Sequence, residues 1–336
     1  AYIGETYLHY AGFNLLTAEE GHRKAREAAE KALQIDANEA RAHKVLAYVQ
    51  LFYEWDWDAA ITSYNRAIAG GLTNENEFIT YYYIFIQKDY GQAIRIAKEN
   101  VVKDPLHVIT HWQLGLCYYF AARFAEALQA FEQSLQQDSD FSEALRWKGV
   151  VLGYLGRFEE AHAAIEQALS ITRGEGLAML DRLTVKILQL EHDGIDEEIE
   201  QMQHLDPCDP AALYSLLNMP EKAVAWLKKG LEARSVMMVS LKHFWIWDNI
   251  RQDAGFQQIY KQMHFHQQKA LKADPRSHQL QEEGAAKLSS EEIVQVTEAI
   301  DQLLIDEAHV TDQSLSLRSL AEAVQLHPNK LSWLLN

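Results

Sequence analysis

The sequence predicts an all-α chain, a superhelical solenoid of paired helices followed by a small helix-turn-helix segment. Three observations predict it. Short segments led by an aromatic residue recur at 34-residue offsets through the first two thirds of the chain. Gly (16) and Pro (6) are scarce in 336 residues, which argues against a turn-rich β architecture. Residues 289–336 hold capped, amphipathic stretches separated by one tight break.

Composition bounds the function. Apolar residues are 48% and charged residues 24%, ordinary for a globular chain and incompatible with wholesale disorder. The formal net charge of −17 is opposite to the basic balance of most nucleic-acid-binding domains. The most apolar stretches, Tyr81–Ile86 and Phe244–Trp247, fall far short of the roughly 18 residues a membrane helix needs. No charged leader with an apolar h-region is visible. Cys117 and Cys208 are the two cysteines, too far apart in sequence for a disulfide framework or a zinc site, and the expected compartment is the reducing cytoplasm. The first residue is Ala1 rather than Met and the chain ends at Asn336, so an excised part of a longer polypeptide is expected.

The repeat is legible residue by residue. Tyr90–Ala93, Phe124–Ala127 and Phe158–Ala161 each place an aromatic three positions before an alanine, at 34-residue offsets. Gly115 and Gly149 keep the same offset, as do Phe131 and Ile165. Looser copies stand at Ala25 and Ala60, and a degenerate one at Ala223. Gly115 and Ala127 are small, so two helices of one unit can approach closely. Tyr118, Phe124 and Phe131 are expected to fill the gap between neighbouring units.

These residues resemble the tetratricopeptide repeat, whose period is 34 and whose unit is a helix–turn–helix. The best match is HWQLGLCYYFAARFAEALQAFEQSLQQD, with Leu114, Gly115, Tyr118, Phe124, Ala127 and Phe131 in place. LFYEWDWDAAITSYNRAI, residues 51–68, resembles the tetratricopeptide regions that bacteria join to signalling and transcription-regulator domains. Residues 235–263, with Arg251, Asp253 and Phe256, resemble the end of such regions. The solenoid is therefore assigned residues 1–266. Stacked units make a concave face lined by the first helix of each unit. Arg41, Lys44, Tyr48, Phe78, Tyr82, Trp112, Tyr119, Arg146 and Tyr154 are the candidates for that groove. Aromatics with a few cations suit a protein, a peptide or a small anionic ligand. The alternative for each is a place in the core between repeats.

Residues 267–288 read as a polar linker. Ser289 or Ser290 then caps a helix whose Ile293, Val296, Ile300, Leu303 and Leu304 recur at helical spacing. Ser316 caps a second helix, Gln325–Pro328 is a break, and Leu331, Leu334 and Leu335 form the face of a third. The run from Leu288 resembles the first half of an AraC-type DNA-binding domain. That resemblance places base contacts on Asn329, Ser332 and Trp333, with Lys330 near phosphate. Trp333 departs from the family, where a long polar or cationic residue is usual. Residues 289–336 hold two cations against eight anions, so double-stranded DNA is expected as a partner only with a further C-terminal part.

No nucleophile elbow, phosphate-binding glycine loop or CxxC pair is present, so no enzyme activity, cofactor or metal is expected. His107 and His111 share a helix spacing but lack a third ligand. The leading expectation is a transcriptional regulator in which the repeat region controls an AraC-type reader, with a homodimer left open. The alternative is an interaction scaffold with no DNA-binding role, whose tail helices cap the solenoid.

Overall fold

The structure is a computed structural model that describes residues 1–12, 15–72, 76–172, 177–202 and 205–265. The linker 267–288, the segment 289–336 and with it Asn329, Lys330, Ser332 and Trp333 lie outside the described residues. Those described belong to one compact unit, Ala1–Gln268, and contain helices and no strand.

The helices run in antiparallel-neighbour pairs: α1 (Tyr2–Gly12) with α2 (Ala18–Ile35), and α3 (Ala40–Val49) with α4 (Trp57–Ala69). Next come α5 (Glu77–Tyr81) with α6 (Tyr90–Lys103), α7 (Val108–Phe120) with α8 (Phe124–Gln137), and α9 (Ser142–Tyr154) with α10 (Phe158–Ile171). Then follow α11 (Leu177–Leu188) with the short α12 (Ile195–Glu200), and α13 (Cys208–Leu216) with α14 (Pro220–Glu232). Short 3₁₀ turns at Val236–Lys242 and Trp245–Trp247 lead to α15 (Ala254–Gln262).

One local device repeats in the corner between paired helices. Trp55, Lys88, Ala122, Gly156 and Asn218 all have left-handed backbone, with φ between 55° and 73°. Each stands two residues before the second helix of its pair, so its N-terminal residue is Trp57, Tyr90, Phe124, Phe158 or Pro220. The residue between is Asp56 or Asp89 in the first two corners, and its carboxylate caps the new helix by accepting from Ala59 N or Gln92 N at 3.0 Å. In the next two corners it is Arg123 or Arg157, which pairs instead with Glu126 or Glu160 one turn on.

The repeated alanines do the work their size permits. Ala25, Ala60, Ala93, Ala127, Ala161 and Ala223 are all fully buried, at 0% exposure. A β-carbon on Gly115 would stand 2.4 Å from the Phe131 ring, and one on Gly149 would stand 2.4 Å from Ile165. Both glycines are therefore required by contact within a pair, between α7 and α8 and between α9 and α10. Phe131 thus closes on Gly115 of its own unit, rather than only filling the space between units as expected. Ser134, also at 0% exposure, ties the same two helices by donating to Val108 O at 2.8 Å.

Candidate functional site

The first helices of successive pairs line a cavity of about 450 Å³. From α3 onward every first helix contributes a wall residue and no second helix does. The wall residues follow the repeat. Phe52, Phe85 and Tyr119 are spaced 33 and 34 apart; Leu116, Val150 and Thr184 are spaced 34 apart; Trp147 and Asp181 are again 34 apart.

Two π-helical turns, Gln50–Glu54 after α3 and Tyr82–Gln87 after α5, disturb that frame. A π-turn fits an extra residue into a helix. Positions before it therefore move by one relative to a strict 34-residue count. Tyr81, not Tyr82, reaches the cavity, 33 positions after Tyr48 and 35 before Leu116.

That shift decides where the candidate groove residues go. Tyr48, Trp112 and Tyr119 line the cavity. Phe78 (1% exposed) and Tyr82 (0%) do not; they belong to the core, with Phe78 stacked on Tyr64 at 4.7 Å between ring centres. Arg41 and Lys44 also lie off the cavity wall and flank Glu5 of α1, at 3.4 Å and 3.2 Å. Arg41 further covers the Tyr2 ring at 4.5 Å. Arg146 stands just behind the wall, where its Nε donates to Asp181 Oδ2 at 2.5 Å. Tyr154 is half-buried in an aromatic cluster off the cavity wall, stacked on Phe124 at 4.7 Å.

Sequence reasoning missed Phe52, Tyr81, Phe85, Trp147, Asp181 and Asp209. All but Asp209 share a repeat register with another wall residue, so extending the period through the π-turns would have found them. It also missed a wall that comes from outside the repeats. Residues 235–247 run along the C-terminal ends of the first helices and close the concave face on that side. Lys242 Nζ donates to Ile86 O at 2.8 Å, Tyr90 Oη donates to His243 O at 3.2 Å, and Trp245 Nε1 donates to Tyr119 O at 3.4 Å. Phe244 meets Phe120 edge-on at 4.9 Å and Tyr119 at 5.9 Å. Trp245 meets Tyr154 edge-on at 5.1 Å. Arg251 fixes the turn from below, donating to the carbonyls of Leu241, Lys242 and Phe244. An open peptide groove along these helix ends is thus occupied by the chain itself.

The electrostatics of the wall are simple. Burial pushes the Cys117 thiol up to about 12, and raises Cys208 well above the usual range, so both are inert thiols. Burial lowers the pKa of His22, whose ring stacks on Tyr53 at 4.9 Å and bonds Ala18 O through Nδ1. Burial raises Asp181 against the pull of Arg146. Asp209 is raised well above the ordinary carboxylate range, first by burial and then by Asp206 and Asp181. Thr184 donates to Leu180 O, and Ser240 accepts from Trp247 Nε1. Trp112 Nε1 is buried with no partner among the described residues.

The two histidines with helix spacing serve the backbone. His107 caps α7 by accepting from Ile109 N at 3.3 Å, and His111 Nε2 pairs with Pro105 O at 2.7 Å. Among the described residues no group of His, Cys, Asp or Glu could hold a metal ion, and no helix is long and apolar enough to cross a membrane.

The tetratricopeptide repeat family model matches residues 142–174, the span of α9 and α10. Among solved structures, the chain is similar to the type IV pilus biogenesis factor PilW. The two share 17% identity over 60% of this chain and 91% of that one, with a TM-score of 0.46. It is similar to PilF of Pseudomonas aeruginosa at 21% identity, over 61% and 91%, with a TM-score of 0.43. It is also similar to YrrB, described as a TPR protein with an unusual peptide-binding site, at 22% identity over 52% and 88%, with a TM-score of 0.36. No curated protein sequence matches the chain.

Proposed function

We propose that this tetratricopeptide solenoid is a recognition module whose ligand is a small, largely apolar molecule held in the central cavity. The observation that carries the proposal is the seating of residues 235–247 on one side of the concave face, which bounds a cavity of about 450 Å³ between the first helices and the closing turn. A volume of that order suits a small molecule, since ligand cavities run from roughly 300 to 1,000 Å³. The wall is mostly rings and aliphatic carbons, with few polar groups, which is the usual composition of such sites. A protein or peptide partner would instead use outer surfaces or displace the closing turn. The module works in the cytoplasm, in keeping with two buried free thiols.

The test is a fluorescence titration with the neutral dye N-phenyl-1-naphthylamine. One dye should bind per chain, and Val150→Trp, which fills the cavity from α9, should abolish binding while the helical circular dichroism is kept. Equal binding to both proteins, or none to either, would overturn the reading.

A second reading adds control of DNA. The helix-turn-helix spacing of residues 316–336 favours it: Leu320 and Ala321 precede HPNKLSWLLN at the distance the AraC-type family uses. On that reading ligand binding shifts a two-state equilibrium that repositions the reader, with a homodimer as the DNA-bound form. Duplex titration of the full-length natural polypeptide tests it. Asn329→Ala should lose sequence preference more than total affinity; unchanged preference would sink this reading and leave the module reading intact.

A further inference from the structure

We propose that the cavity ligand is an organic ammonium ion, an apolar ring-bearing body with one protonated amine, and that Asp209 is its counter-ion. The inference rests on the cavity being the recognition site. Two carboxylates, Asp181 and Asp209, stand on the wall, and one guanidinium, Arg146, lies beside them. Arg146 is committed to Asp181: the pair is 2.5 Å apart, with side chains only 11% and 7% exposed. Asp206, the neighbouring carboxylate, is satisfied by the Ser235 hydroxyl, whose single proton is shared between its two oxygens, and by Cys208 N. Asp209 alone receives no hydrogen bond or ion pair among the described residues, and its charged neighbours are Asp206, Asp181 and the engaged Arg146. The wall therefore holds one carboxyl group with no cation of its own.

A cation beside Asp209 would favour its ionised form and pair with it, whereas an anion there would be repelled. The other end of the cavity fits the body of such a molecule. Tyr48, Phe52, Tyr81 and Phe85 come from the early pairs, whereas Asp181 and Asp209 come from α11 and α13. Between them stand Trp112 and Trp147, whose indole rings are the residue type that best attracts an ammonium group. The site is thus polarised along the repeat axis, rings first and carboxylate last.

The test compares tryptamine, tryptophol and indole-3-acetate by titration calorimetry at pH 7.5 on the whole chain. Tryptamine should bind at least about tenfold more tightly than tryptophol, with indole-3-acetate weakest. Asp209→Asn should bring tryptamine and tryptophol within about twofold of one another. If that variant fails to fold, the tryptamine-to-tryptophol ratio of the native chain still decides. Equal binding of amine and alcohol overturns the ammonium inference and leaves the cavity reading standing. Binding of none of the three overturns both.

Discussion

The ammonium group of Lys242 donates to the carbonyl oxygen of Ile86 at 2.8 Å, across 156 residues of chain. This contact anchors the closing turn to the π-turn that follows α5. Half-burial lowers the Lys242 pKa to about 8. The sign of the consequence follows from linkage. Between pH 8 and about 10.4 the unfolded chain holds a proton that the folded chain has released, so stability rises with pH in that window. Below pH 8 both states are protonated and the cost of burying the charge is fully present. The wild type should therefore gain on Lys242→Met as pH rises from 8 to 10. The gain should be about 1 kcal/mol once half-exposure is allowed for, and urea denaturation at three pH values checks it. A constant difference would contradict the burial of this amine.

Gly115→Ala should destabilise the chain by about 1–2 kcal/mol, although alanine is the better helix former. The added carbon would press into the Phe131 ring. Gly91→Ala provides the contrast. Its β-carbon would find its nearest neighbour, Asp89 Oδ1, at an unstrained 3.5 Å, so this change should be neutral or stabilising by up to about 1 kcal/mol. The denaturant midpoint should fall for Gly115→Ala and should not fall for Gly91→Ala.

Arg146→Met should cost about 3 kcal/mol at pH 7, because it leaves Asp181 buried with its partner gone. Burial already raises the Asp181 pKa, and losing the guanidinium raises it further. A carboxyl raised in the folded state penalises folding above its unfolded pKa and is relieved as it protonates. The cost of the substitution should therefore shrink as pH falls from 7 towards 4. A loss independent of pH would mean that packing, and not charge, is what Arg146 supplies.

Trp245→Ala should detach the closing turn without unfolding the repeats. Trp245 touches Tyr119, Phe124 and Tyr154 of the repeats, and Phe244 beside it in the turn. Limited proteolysis should cut faster between residues 235 and 250, while α7–α10 keep their protection in hydrogen exchange. Equal loss of protection in α7–α10 would show that turn and repeats open together.

The fold was legible because its signals are local. Aromatic-led alanines at 34-residue steps mark the second helices, and Ala60, Ala93, Ala127 and Ala161 are fully buried where that pattern puts them. The cavity was only partly legible. Trp112 and Tyr119 lie downstream of the π-turns, where a strict count holds. Phe78 lies before one and Tyr82 is the first residue of it, and both sit in the core. Nothing in the period announces a π-turn. The closing turn was recognised as an aromatic ending, but its seat on Ile86 and Tyr119 depends on contacts between residues more than a hundred positions apart. Asp209 carried no signal at all, since its character comes from burial and from neighbours on two other helices.

An open array of repeats behaves like a spring, to which a unit can be added or removed with little consequence for the others. Here the late turn also grips the early units: Arg234 donates to Tyr53 O at 3.0 Å, and Phe265 stacks on Trp57 at 5.2 Å. The two ends are buckled together. The number of units between them is set by the span of that buckle, so duplication or deletion of one internal repeat, the ordinary route by which such arrays diversify, would part Lys242 from Ile86 and empty the site. The length of this array is a property of its closure.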